Sequence, residues 1–126
     1  MRVEQAAPVL LSSDVARTAA WFRDALGWEC ELFHDPPDFG IAKRDETRIM
    51  FALCETPERI VPNWRIVEKM WNVYVRVDDV DALYAEILER GVEVDYSLYD
   101  APHGMREFGL TDPDGHDIAF GRPLAA

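Results

Sequence analysis

Two stretches of this chain, 65 residues apart, carry the same pattern. Val9-Leu10-Leu11 is an apolar run that ends in Ser12-Ser13-Asp14 and gives way to a helical periodicity. Val73-Tyr74-Val75-Arg76-Val77 ends in Asp78-Asp79 and does the same, so that Asp14 answers Asp79 and Val15 answers Val80. In the first helix Val15, Thr18, Ala19, Phe22 and Leu26 fall on one stripe. In the second, Val80, Leu83, Tyr84, Ile87 and Leu88 do. Asp14 and Asp79 stand where a side chain caps the open amides of a first turn. Gly27 and Gly91 stand where a helix closes through positive φ. Glu86 and Arg90 form an exposed i,i+4 pair.

After each helix the pattern changes to short strand candidates. They cover 28–33, 39–43 and 48–54 in the first half, and 92–96, 105–111 and 117–121 in the second. Pro36-Pro37-Asp38, Asp45-Glu46 and Asp112-Pro113-Asp114-Gly115 supply the turns. Each half therefore reads β-α-β-β-β. Module one covers about 1–55, a linker with Pro57 and Pro62 covers about 56–69, and module two covers about 70–126. A four-stranded sheet with one helix cannot bury both of its faces alone. The expectation is an α+β domain in which the two modules build a curved eight-stranded mixed sheet around a cleft, helices outside. A length of 126 residues fits one such domain and not two.

The charge narrows the partners. With 24 acidic and 13 basic residues the formal net charge is −11, a field that repels nucleic acid and anionic membranes. It favours a cationic partner or serves solubility alone. Cys30 and Cys54 lack close spacing, against a zinc knuckle or disulfide scaffold and in keeping with a reducing cytoplasm. The apolar run after Arg2 and Glu4 is too short for a signal-peptide core or a membrane span.

The opening segment Pro8-Val9-Leu10-Leu11-Ser12-Ser13-Asp14-Val15, with Trp21-Phe22-Arg23-Asp24-Ala25-Leu26-Gly27-Trp28, resembles that of glyoxalase and bleomycin-resistance proteins. So do Leu83-Tyr84-Ala85-Glu86 and Pro102-His103-Gly104-Met105-Arg106-Glu107-Phe108, running on into Asp112-Pro113-Asp114-Gly115. The order and spacing of these motifs, over nearly the whole chain, resemble the vicinal-oxygen-chelate superfamily, and its bleomycin-resistance branch most of all. The resemblance implies paired β-α-β-β-β modules, a homodimer and a ligand cleft. In the enzymes of that superfamily His, Gln or Glu side chains at four inward strand positions hold a divalent metal there.

Carried over from the anchors, those four positions fall on Ala7, Phe51, Asn72 and Ala119. Two methyls, a phenyl and one neutral amide make a poor ligand set, so the expectation is no metal and no cofactor. His34, His103 and His116 show no ligand spacing, and no serine sits in a nucleophile elbow. The resemblance then implies a binding protein that sequesters a bleomycin-like or other planar, in some cases cationic, small molecule. A glyoxalase- or dioxygenase-like enzyme with non-standard ligands, and an accessory domain without ligand, are the alternatives.

On the strand 73–77, alternation sends Asn72, Tyr74 and Arg76 into the cleft and the valines toward the helix. A buried Arg76 needs a partner, and Asp117 or Glu107 could supply it, as a structural ion pair or as part of a ligand contact. Phe39 and Tyr74 match aromatic ligand positions of the resembling proteins, and His103 stands where they carry a tryptophan. The expected ligand contacts are Phe33, Phe39, Asn72, Tyr74, Arg76, His103, Arg106 and Asp117. Trp64 and Trp71 read equally as interface or core residues.

Overall fold

The computed structural model describes residues 1–124. Both aspartates cap as expected. Asp14 accepts from the Arg17 amide at 3.1 Å, opening α1 (Val15–Leu26), and Asp79 accepts from the Ala82 amide at 3.0 Å, opening α2 (Val80–Glu89). Gly27 ends α1 at φ +72°, while α2 ends on Arg90 with Gly91 just beyond at φ +75°. Around α1 lie β1 (Val9–Ser12), β2 (Glu29–Phe33), β3 (Phe39–Arg44) and β4 (Thr47–Leu53). Around α2 lie β5 (Val73–Arg76), β6 (Tyr96–Asp100), β7 (Met105–Thr111) and β8 (Asp117–Pro123). Two short 3-10 turns, Pro57–Arg59 and Asn63–Arg65, carry the linker.

The strands form two four-stranded sheets, β1-β4-β3-β2 and β5-β8-β7-β6, rather than one continuous sheet of eight. In each, the first strand pairs parallel with the last and the remaining pairs are antiparallel. The repeat extends to register: Leu10 lies opposite Phe51, and Val75 lies opposite Phe120. Phe51 stacks on Phe22 of α1 at 5.7 Å, and Phe120 stacks on Phe108 at 5.3 Å, with Tyr84 of α2 against Phe108. These rings belong to one core shared by both modules. Burying the four fully enclosed phenylalanines contributes on the order of 10 kcal/mol before entropy is charged.

One strand differs from expectation. The alternation Val92-x-Val94-x-Tyr96 suggested a strand over 92–96, but pairing runs from Tyr96 to Asp100. Val92 and Val94 pack on the core from a connecting loop, so their alternation reports burial without a ladder. A register shift between Tyr96 and Tyr99 then brings both rings together, 5.9 Å apart, where simple alternation would separate them.

The modules are tied at the Asp-Pro-Asp-Gly turn. Asp114 accepts from the Ser13 hydroxyl at 2.5 Å and from its amide at 3.1 Å, and the His116 ring meets the Leu11 carbonyl at 2.8 Å. The linker joins here too, with the Trp64 indole donating to the Gly115 carbonyl at 2.7 Å. On the other side Arg44 of β3 pairs with Glu86 of α2 at 2.9 Å. Since α1 and α2 cover one face of each sheet, alternation leaves the second face of each outside the shared core.

Candidate functional site

The open face of the second sheet is a cleft of about 600 Å³. At its floor lies Glu107, 1% exposed, whose neighbours Arg106 and Phe108 turn the other way, toward α2. A carboxylate so buried needs donors, and three converge on it. Tyr74 donates to Oε1 at 3.0 Å, Tyr96 donates to Oε2 at 2.8 Å, and the His103 Nε2 lies 2.5 Å from Oε1. Burial, and then the bond to Glu107, push both tyrosine hydroxyls well above their usual range. They stay protonated and donate.

Two glycines make this convergence possible. A Cβ on Gly121 would strike the Tyr74 hydroxyl and approach the Glu107 Cβ to 3.1 Å. A Cβ on Gly109 would strike the Tyr96 ring. The bare backbone of β7 and β8 lets the rings of β5 and β6 lie across it to reach Glu107. Trp71 lines the cleft with its ring 4.9 Å from Tyr74 and 5.9 Å from His103, and Tyr96 and Tyr99 line it too.

Asp117 is the second carboxyl of the cleft. It is 8% exposed, and its Oδ1 has no hydrogen-bond partner. Burial, then the adjoining Asp95 carboxyl and more weakly Glu107, push it up to about 8.

Of the expected ligand contacts, His103 and Asp117 line this cleft, and Tyr74 joins it through its bond to Glu107. Asn72 does not line it and is occupied structurally, its Oδ1 accepting from the Asn63 amide at 3.1 Å. Arg106 is on the helix face, forked onto Asp81 of α2 at 3.0 Å and onto Asp100 at 2.8 Å, because even positions of β7 face α2. Arg76 is not buried and pairs with neither Asp117 nor Glu107. It lines a separate groove of about 390 Å³ between the modules with Trp28, Asp78 and Glu86. Phe33 and Phe39 contact each other at 5.7 Å on the first sheet, away from the second sheet's cleft. The contributions of Asp95, Tyr96 and Tyr99 emerge only in the fold, and Glu107, expected as a partner for Arg76, serves instead as the acceptor for Tyr74, Tyr96 and His103, with Trp71 in the cleft lining.

The family profile described as Glyoxalase/Bleomycin resistance protein/Dioxygenase superfamily matches residues 4–120. The chain belongs to that superfamily. It is similar to the bleomycin-binding protein from bleomycin-producing Streptomyces verticillus, solved with copper(II)-bleomycin: 26% identity, TM-score 0.73, covering 95% of this chain and 96% of that one. A glyoxalase-related enzyme from Clostridium phytofermentans superposes with a TM-score of 0.76 at 21% identity, covering 98% and 97%. The YraH protein of Bacillus subtilis is 23% identical over 125 residues, 91% of this chain and 94% of its own length.

Metal-dependent members of the superfamily require a donor set that this chain does not offer. Phe51 is not an open-face residue, since its ring stacks on Phe22 inside the core. The register gives the equivalent of Ala119 as Met50, because Val9 pairs with Met50 as Tyr74 pairs with Ala119. The four positions are thus Ala7, Met50, Asn72 and Ala119, with the one amide oxygen already engaged. They do not fit a divalent cation. Among the described residues no three His, Cys, Asp or Glu side chains gather to hold one elsewhere.

Proposed function

We propose that this protein is a small-molecule-binding member of the bleomycin-resistance branch, sequestering a planar ligand in the cleft above Glu107. The observation that carries this reading is an aromatic-walled cleft with carboxyls on its floor, in a superfamily fold whose metal positions hold no ligand set. Trp71, Tyr96 and Tyr99 offer faces to a flat ring, and Glu107, Asp95 and Asp117 favour a positive charge. The likeness to a bleomycin-binding protein supports the ligand class, a bleomycin-like antibiotic or another planar compound.

The binding unit in this reading is a homodimer. Val9 and Leu11 are 54% and 43% exposed on β1, an apolar load that a second copy would cover. Phe33 and Phe39 of the first sheet would then reach a ligand from the partner's side. The free thiols of Cys30 and Cys54 accord with the cytoplasm.

Titration with copper-free bleomycin, followed by tryptophan fluorescence, tests the proposal through Trp71. Saturable quenching at about one ligand per chain is expected under tight binding. An unchanged spectrum up to millimolar ligand would sink it. A second reading, an enzyme of the same superfamily, is favoured by the His103–Glu107 pair, an imidazole on a buried carboxylate suited to proton transfer. Turnover with a glyoxalase or dioxygenase substrate, lost in His103→Gln, would support that reading instead.

A further inference from the structure

We propose that His103 reads the ligand, its Nδ1 accepting a hydrogen bond from an O–H or N–H donor on the edge of a flat ring. Glu107 is the positioning residue that keeps Nδ1 free to accept. The inference rests on the binding reading above and adds the polar group that the ligand must carry.

Three observations carry it. The first is the tautomer that the cleft floor imposes. Glu107 is 1% exposed and receives the Tyr74 and Tyr96 hydroxyls at 3.0 and 2.8 Å, so its carboxylate acts as an acceptor. The His103 Nε2, 2.5 Å from Oε1, must then carry the proton, and a neutral imidazole keeps its lone pair on Nδ1. The second is that no side chain uses that lone pair. Among the described residues no hydrogen bond reaches Nδ1, on a side chain that is 46% exposed and lines the cleft. Both tyrosine hydroxyls are spent on Glu107, and the unpartnered oxygen of Asp117 is itself buried.

The third observation is that the imidazole is held in place. The turn between β6 and β7 closes through the Ala101 amide on the Met105 carbonyl at 2.7 Å and the Gly104 amide on the Ala101 carbonyl at 3.0 Å. The Leu124 amide, past the end of β8, pins the Gly104 carbonyl at 3.0 Å. Trp71 stands 5.9 Å from the imidazole, so a ring lying on the indole brings its edge to His103. A ring without a donor can use the indole but leaves Nδ1 unpaired. One neutral hydrogen bond of this kind changes affinity about three- to tenfold.

The test measures three probes by equilibrium dialysis at about pH 7.5, where an ordinary imidazole is neutral. 2-Naphthol carries a donor on a planar double ring, naphthalene is the bare ring, and 2-methoxynaphthalene keeps the oxygen without its proton. Wild type is expected to bind 2-naphthol about three- to tenfold more tightly than either of the others. His103→Gln offers an amide to Glu107 in place of Nε2 but nothing in place of Nδ1, and should bring the three affinities together. The ring-nitrogen NMR shifts of His103 give a readout independent of any ligand. They should show a proton on Nε2 alone in wild type and a mixture of tautomers in Glu107→Gln. A proton on Nδ1 in wild type, equal affinity of wild type for the three probes, or a preference that survives His103→Gln overturns the proposal while leaving a ring-binding cleft. Absence of binding by all three probes overturns it together with the binding reading.

Discussion

Replacing Asp117 by Asn should change how stability depends on pH. Asp117 is 8% exposed, beside Asp95 and within reach of Glu107, and is pushed up to about 8 from an ordinary 3.8. Its pKa is therefore higher in the folded chain than in the unfolded one. Between about 4 and 8 the folded state holds a proton that the unfolded state has released. Stability from this group is fully present below pH 4 and is lost progressively as pH rises through about 8. Above that it is flat. A rise of that size sets a ceiling of roughly 6 kcal/mol, but the cleft is open to water, and a buried unpaired polar group ordinarily costs about 1–3 kcal/mol. The smaller range governs. Urea unfolding of wild type and Asp117→Asn at about pH 5, 7 and 9 reads the difference between the two profiles, to which Asp117 and the Asp95 carboxyl it adjoins both contribute. The Asn variant should gain about 1–3 kcal/mol on wild type between the ends of that range. Parallel profiles would refute the reasoning, because they would mean an Asp117 that is solvated and ionised throughout.

Three further perturbations address the site and its frame. Gly121→Ala puts a Cβ against the Tyr74 hydroxyl. It should break the Tyr74–Glu107 bond at a cost of about 1–2 kcal/mol, read by urea unfolding and by loss of the shifted Tyr74 titration. Asp114→Ala removes both bonds to Ser13 and should loosen the module junction by about 1–3 kcal/mol; a single sharp transition of wild-type midpoint would contradict that role. Phe51→Ala should cost about 3–5 kcal/mol, as a ring with no exposed surface stacked on Phe22 requires. Met50→Ala, on the open face, should cost much less, and a reversed order would restore Phe51 to the cleft.

The fold was legible because the 65-residue repeat can be checked in two places at once. Caps, helical stripes and the Asp-Pro-Asp-Gly turn are local signals, and Asp14, Asp79 and Gly27 do in the structure what their residue types predict. The site was legible only in part, because it depends on strand order, which local signals do not carry. Parity along β5 correctly turned Tyr74 away from α2. Parity along β7 was needed to see that Glu107 points inward and Arg106 outward, and that inference requires β8 to lie between β5 and β7. Given that order, Gly121 becomes a signal. It is the residue of β8 over which Tyr74 must pass to reach Glu107, and only a glycine leaves the path open. Tyr99 was hidden for another reason, since the register shift after Tyr96 breaks the alternation that would have placed it. Phe51 was misplaced by one residue, and in a strand one residue is the difference between core and cleft. The repeat itself held the remedy: matching Leu10–Phe51 to Val75–Phe120 assigns both phenylalanines to the core and leaves Met50 as the counterpart of Ala119. With Met50 in that place, the ligand set is no richer than it was with Phe51. A thioether there, two methyls and an engaged amide still give a divalent cation nothing to replace its water, and the carboxyls of the cleft stand instead on Glu107, Asp95 and Asp117.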